Sequence, residues 1–199
     1  MASPSHPTIR TAPFVDAHVH PDKSSWGGPW LSRSLARTLP EFIAADLRTQ
    51  RAYTRSVAER AEGLLRTEIE NGTRALRAHV DVGPAHGLAN IHGVREAAER
   101  VGALLDVQIV AFPQEGLLSA PGTLELLGAA LREGADLVGG LDPVGIDGDL
   151  DGHLDAVFGL AAAHGVDIDI HLHDEGPEGL AQTRAIAART VAAGLQGRV

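Results

Sequence analysis

The sequence predicts an α/β fold: about five parallel strands forming part of a TIM-type (β/α) barrel. Two observations carry this expectation. Short apolar, β-branched runs alternate with longer Ala/Leu/Glu/Arg segments at helical spacing, which is the rhythm of repeated βα units. Polar residues also collect where the apolar runs end, as they do when a barrel gathers a site from the C-terminal ends of several strands. The rhythm alone fits an open doubly wound sheet equally well, and the polar strand ends favour the barrel.

Residues 1–12 read as an N-terminal tail and 13–199 as the barrel domain. The first strand is expected over Phe14 to His20. A helical insertion at about 21–72 follows, with an irregular Gly/Pro/Trp stretch and helices near Pro40 to Arg48 and Ser56 to Glu70. Pro40 suits a first helical turn, and Gly72 fits a helix stop. Further strands are expected over Ala75 to Val82, Val107 to Phe112, Asp136 to Leu141 and Val166 to His171. The intervening and final helices fall near Leu88 to Val101, Thr123 to Glu133, Leu150 to His164 and Glu178 to Ala193. Leu195 to Val199 reads as the approach to a sixth strand.

With 199 residues and 44% hydrophobic content, the chain can bury one ordinary core. A net charge of −9 without a basic cluster argues against nucleic acid and anionic membrane as partners. No apolar run approaches the roughly 20 residues of a membrane span, and no signal peptide is evident, so the cytoplasm is the expected location. The absence of cysteine excludes disulfides, thiolate metal sites and a cysteine nucleophile. A metal site must therefore use histidine and carboxylate.

Two strand ends carry His-x-His. In Asp16-Ala17-His18-Val19-His20 the imidazoles are two residues apart and point to one face, close enough to share a cation. In Asp167 to Glu175 alternation puts Ile168, Ile170 and Leu172 on one face, with Asp167, Asp169, His171 and His173 on the other. Such groups are costly on a buried face unless paired, protonated or bound to a cation. Alternation does not choose between His171 and His173 as the ligand. His79, Asp81 and Arg77 are expected to line the barrel interior in a hydrogen-bonded set, without ligating directly. His86, His92, His153 and His164 read as loop or helix-surface residues. Asp147-Gly-Asp149-Leu-Asp151-Gly152 copies the opening of a calcium loop, but its twelfth position is Phe158 where a bidentate Glu is needed, so helix capping is the better reading. Trp26, Trp30 and Phe42 are expected to pack within the insertion.

The segments Pro13-Phe-Val-Asp-Ala-His-Val-His20, Arg77-Ala-His-Val-Asp-Val82, Val107-Gln-Ile-Val-Ala-Phe-Pro-Gln-Glu-Gly116, Gly134-Ala-Asp-Leu-Val-Gly-Gly140 and Ile168-Asp-Ile-His171 resemble cytosine deaminase and related amidohydrolases, in that family's order. The resemblance implies one divalent metal ion, zinc or iron, held by His18, His20 and His171. It favours His171 over His173, places Gln114 against the polar edge of a small-molecule substrate, and gives proton transfer to Asp174, with Glu175 as the neighbouring alternative. The implied reaction is hydrolysis of a C–N bond in a small heterocycle or amide through a metal-activated water. The family's further histidine on strand six and aspartate on strand eight have no counterpart here, so an incomplete barrel is expected, whose exposed edges call for a homo-oligomer or for a complementing C-terminal half. A catalytically silent half-barrel serving as a binding or self-association module is the alternative.

Overall fold

The computed structural model describes residues 10–32 and 35–199; most of the expected tail, residues 1–9, lies outside them. Five strands, β1 (Phe14–Val19), β2 (Thr73–Asp81), β3 (Asp106–Phe112), β4 (Leu137–Leu141) and β5 (Asp167–His171), form one sheet in sequence order. Every neighbouring pair is parallel. Helices α1 (Leu39–Gln50), α2 (Val57–Glu70), α3 (Ala89–Val101), α4 (Thr123–Arg132), α5 (Leu150–His164) and α6 (Gly176–Ala192) separate or follow the strands. The result is a partial TIM-type barrel, a curled half of the closed form, and the expected strands and helices match it to within two or three residues at their ends.

Local chemistry explains the boundaries. Thr38 with Glu41 caps α1, and Ser56 with Glu59 caps α2, each side chain reaching the other's backbone N–H in a capping box. Gly72, at φ 96°, then takes the left-handed backbone that returns the chain from α2 into β2.

The core lies between the sheet and its helices. Leu76, Ala78 and Val80 of β2 point into it, packing with Leu65 of α2 and Ile91, Val94 and Ala97 of α3. Alternation therefore turns Arg77, His79 and Asp81 to the barrel interior. Within β2 and β3 the register pairs Asp81 with Phe112, and within β4 and β5 it pairs Leu141 with His171, so strand ends align along one rim.

The acidic 147–152 segment serves this frame. Asp149 caps α5 by accepting from Gly152 N, and Asp147 accepts backbone N–H groups from Leu117, Leu118 and Ser119. His153 is a correction: it is fully buried, its Nδ1 is 2.6 Å from Asp147 Oδ2, and it joins Leu154, Val157 and Phe158 on the core face of α5. Gly140 leaves room for it, since a Cβ at that position would stand 2.8 Å from His153 Nε2.

Candidate metal centre

The end of β1 carries His18 and His20, β2 carries His79, and β5 ends on His171. His18 Nε2 lies 3.1 Å from His20 Nε2 and 3.0 Å from His171 Nε2. His18, His79 and His171 each offer a ring nitrogen within 4.8 Å of the others. A tetrahedral ion with metal–nitrogen bonds of about 2.0–2.1 Å sets its ligand nitrogens roughly 3.3 Å apart, so the His18–His20 and His18–His171 spacings fit such an ion.

Orientation and protonation agree with that use. His20 Nδ1 donates to the carbonyl of His79 at 3.0 Å, which leaves the Nε2 lone pair facing His18. Burial, then the nearby Lys23, push the His20 pKa down to about 2. Burial and the neighbouring His79 lower His171 to about 4, and the same two causes lower His18. All three imidazoles are thus neutral at pH 7, the form that binds metal.

His79 lines the barrel interior as expected, and its ring also lies within the cluster, 1% exposed, with no hydrogen-bond partner for either ring nitrogen among the described residues and Nε2 3.2 Å from Asp169 Oδ1. Arg77 Nη1 donates to Asp169 Oδ2 at 2.8 Å. Burial alone would raise the Asp169 pKa, but His79 and Arg77 bring it down to about 2. Asp81 does not join this set: it lies 3.0 Å from Lys23 Nζ.

His171 and His173 part company at the strand end. His171 sits among the other histidines, whereas His173 lies beyond β5 and its backbone N and ring Nδ1 meet the two oxygens of Asp142 at 2.6 and 2.7 Å. Asp142 has φ 35°, a positive value no other non-glycine residue shares among those described.

Lys23 links the histidines to a neighbouring cavity of about 870 Å³. Its Nζ donates to Gln114 Oε1 at 2.7 Å, and Lys23, Gln114 and His20 line the cavity together with Trp30, Leu39 and Phe42. Burial and the adjacent Asp22 push Asp81 up to about 8, against the pull of Lys23. Asp22 is itself fully buried; its Oδ2 accepts from Asp81 N at 2.9 Å and from Asn90 Nδ2 at 3.1 Å. Asp174 accepts from Gln182 of α6 at 2.7 Å, and Glu175 is the exposed N-cap of that helix. Among the described residues, neither hydrogen-bonds a histidine of the cluster.

No protein-family model matches the chain. It is 36% identical to the N-isopropylammelide isopropyl amidohydrolase of Pseudomonas sp. strain ADP, over 94% of this chain and 47% of that protein. The crystal structure of N-isopropylammelide isopropylaminohydrolase from Burkholderia multivorans matches with a TM-score of 0.88 at 37% identity, covering 94% of this chain and 47% of the other. That of 5-methylcytosine deaminase from Klebsiella pneumoniae liganded with phosphonocytosine matches with a TM-score of 0.72 at 29% identity, covering 92% and 45%. The chain therefore spans about half the length of the relatives it matches. Shared sequence and shared fold together make this chain a member of the amidohydrolase superfamily, related over that half to its cytosine-deaminase-type hydrolases.

Proposed function

We propose that this chain carries the first part of a metal-dependent hydrolase that cleaves a C–N bond of a small heterocycle or amide. The convergence of Nε2 atoms from His18, His20 and His171 supports the reading most directly. In it these three histidines hold one divalent ion, zinc or iron, with His79 beside them. Such an ion supplies a nucleophile at neutral pH by lowering the pKa of water from about 15.7 toward 7.

The chain's own groups supply part of the remaining machinery. The His79 carbonyl holds His20 in one tautomer. Lys23 takes the Gln114 carbonyl oxygen, so the Gln114 amide NH₂ is left to meet an acceptor on the substrate's edge. Asp174 carries the proton between water and the leaving nitrogen, with Glu175 as the alternative. Trp30, Leu39 and Phe42 offer apolar surface for the substrate's ring.

A second reading, a half-barrel that associates with a second copy or with a complementing half, is favoured by Phe14 and Val15, which are 60% and 70% exposed on the edge strand β1. The deciding experiment is elemental analysis of the purified chain beside His18→Ala/His20→Ala. Near-stoichiometric zinc or iron that the double variant loses is expected, and would justify a screen of aminated heterocycles. Absence of metal from the parent, together with a tight oligomer, would reject the hydrolase reading and favour the assembly module.

A further inference from the structure

Among the described residues, the metal reading leaves one buried guanidinium unused. Arg60 of α2 is 5% exposed, and among the described residues its guanidinium hydrogen-bonds no carboxylate. Its donors go to backbone carbonyls: Nε to Ser24 O at 2.7 Å, Nη2 to Asp22 O at 2.7 Å and Nη1 to Arg55 O at 2.5 Å. The guanidinium lies 4.4 Å over the Tyr53 ring, and Tyr53 Oη donates to the intervening carbonyl, Lys23 O, at 3.1 Å. Three consecutive carbonyls, 22 to 24, are thus held from the insertion side. From the barrel side, the Asp22 carboxylate is held by Asp81 N and Asn90. The turn between them, Pro21–Lys23, starts from His20 as its N-cap and carries Lys23.

Packing alone calls for no charge at this position, because burying a guanidinium is costly. What its planar fork adds is the capture of several carbonyls at fixed angles, which neither an ammonium nor an alkyl chain can do. Gly63, one turn along α2, supports the same docking: a Cβ there would lie 2.0 Å from Trp26 Cδ1, so the glycine lets the helix close on this segment.

We infer that Arg60 is a positioning residue of the metal centre: by gripping the carbonyls of Asp22 and Ser24 it fixes the turn that presents His20 and Lys23 to the site. The inference rests on the metal reading above for its function, and on the carbonyl contacts for its geometry. It also gives the helical insertion a task, that of bracing the first ligand-bearing strand end.

The test compares the parent chain with Arg60→Lys and Arg60→Ala, the latter with and without millimolar guanidinium. Zinc affinity is measured by competition with a chromophoric chelator, and hydrogen–deuterium exchange is followed over residues 21–26. Arg60→Ala should weaken zinc by roughly 10–100-fold, as loss of a group that orients a ligand does. It should also speed exchange in 21–26 while β2 and β3 stay protected. Added guanidinium should restore both readouts, and Arg60→Lys should not recover them. Parent-like affinity and exchange in both variants would overturn the inference, as would exchange rising equally through β2 and β3. If the parent itself takes no zinc, the metal reading falls, and the exchange pattern with its guanidinium rescue decides the role of Arg60. If Arg60→Ala does not fold, Arg60→Lys carries the comparison.

Discussion

Replacing Lys23 by methionine keeps the stem and removes the charge beside two buried carboxyls. Nζ is 3.0 Å from Asp81 Oδ1, and at an effective dielectric constant of about 20 that separation corresponds to roughly 5.5 kcal/mol of attraction, before desolvation offsets much of it. The sign of the pH dependence follows from Asp81, whose folded pKa is raised from 3.8 to about 8 by burial and by Asp22. Between those values the folded chain holds a proton that the unfolded chain has released, so this carboxyl's contribution to stability declines as pH rises. In the parent the decline stops above about 8, where Asp81 ionises against Lys23. In Lys23→Met the cation that pulls Asp81 toward ionisation is gone, so the decline continues at about 1.4 kcal/mol per pH unit. Near pH 6, with Asp81 neutral in both chains, the variant should be weaker by about 1–2 kcal/mol, the worth of the lost charged hydrogen bonds. One pH unit above the Asp81 midpoint the deficit should be larger by about 1.4 kcal/mol. Urea unfolding followed by circular dichroism in metal-free buffer at the two pH values measures it. A deficit that stays constant or shrinks with rising pH would refute the coupling.

Two further predictions concern the strand-five end and the frame. His171→Ala should weaken zinc binding by at least about 100-fold and His173→Ala by less than about 10-fold, since His171 Nε2 lies 3.0 Å from His18 Nε2 whereas the His173 ring is held by Asp142; calorimetric titration in the reverse order would move the ligand role to His173. Burial raises the Asp147 carboxyl, but hydrogen bonds from His153 and Ser119 outweigh it and hold its pKa at about 2, so the stability it adds is present above 3.8 and lost as pH falls toward 2. Asp147→Asn should therefore cost about 1–2 kcal/mol at neutral pH after allowing for screening, and the gap from the parent should close in thermal melts on acidification. A gap that persists in acid would mean that the four loop and helix contacts do not depend on the charge.

The five strands were readable because each is a short β-branched run whose partner lies one βα unit away, and because glycines such as Gly72 mark the turns. That His18 and His20 share a face was legible because a two-residue spacing on a strand is enough to put side chains on one face, whereas the same spacing leaves His171 and His173 equivalent and only the family resemblance favours His171. The nearness of His79 to the cluster and the buried place of His153 were not read from the sequence, for different reasons. Nothing in Arg77-Ala-His79-Val-Asp81 distinguishes a ligand from a lining residue, because the distances from His79 to His18 and His171 depend on how far the sheet curls. His153 could have been found: Leu150, His153, Leu154, Val157, Phe158 and Ala161 follow the spacing of one helix face, and only the residue type suggested the surface. The grip of Arg60 on residues 22 and 24 joins a helix to a turn 36 and 38 residues away through backbone atoms, which no side-chain pattern encodes.

The space beneath His153 ties two distant positions into one choice. With no side chain at residue 140, β4 admits an imidazole from α5; a Cβ there would crowd both that imidazole and Ile170, so His153 would have to shift and its bond to Asp147, which helps hold the loops after β3 and β4 together, would be disturbed. Any side chain at 140 therefore calls for a smaller residue at 153, while a smaller residue at 153 leaves 140 free to stay glycine, and a library that paired the two with a neutral side chain at 147 would have a route to an apolar version of the same frame.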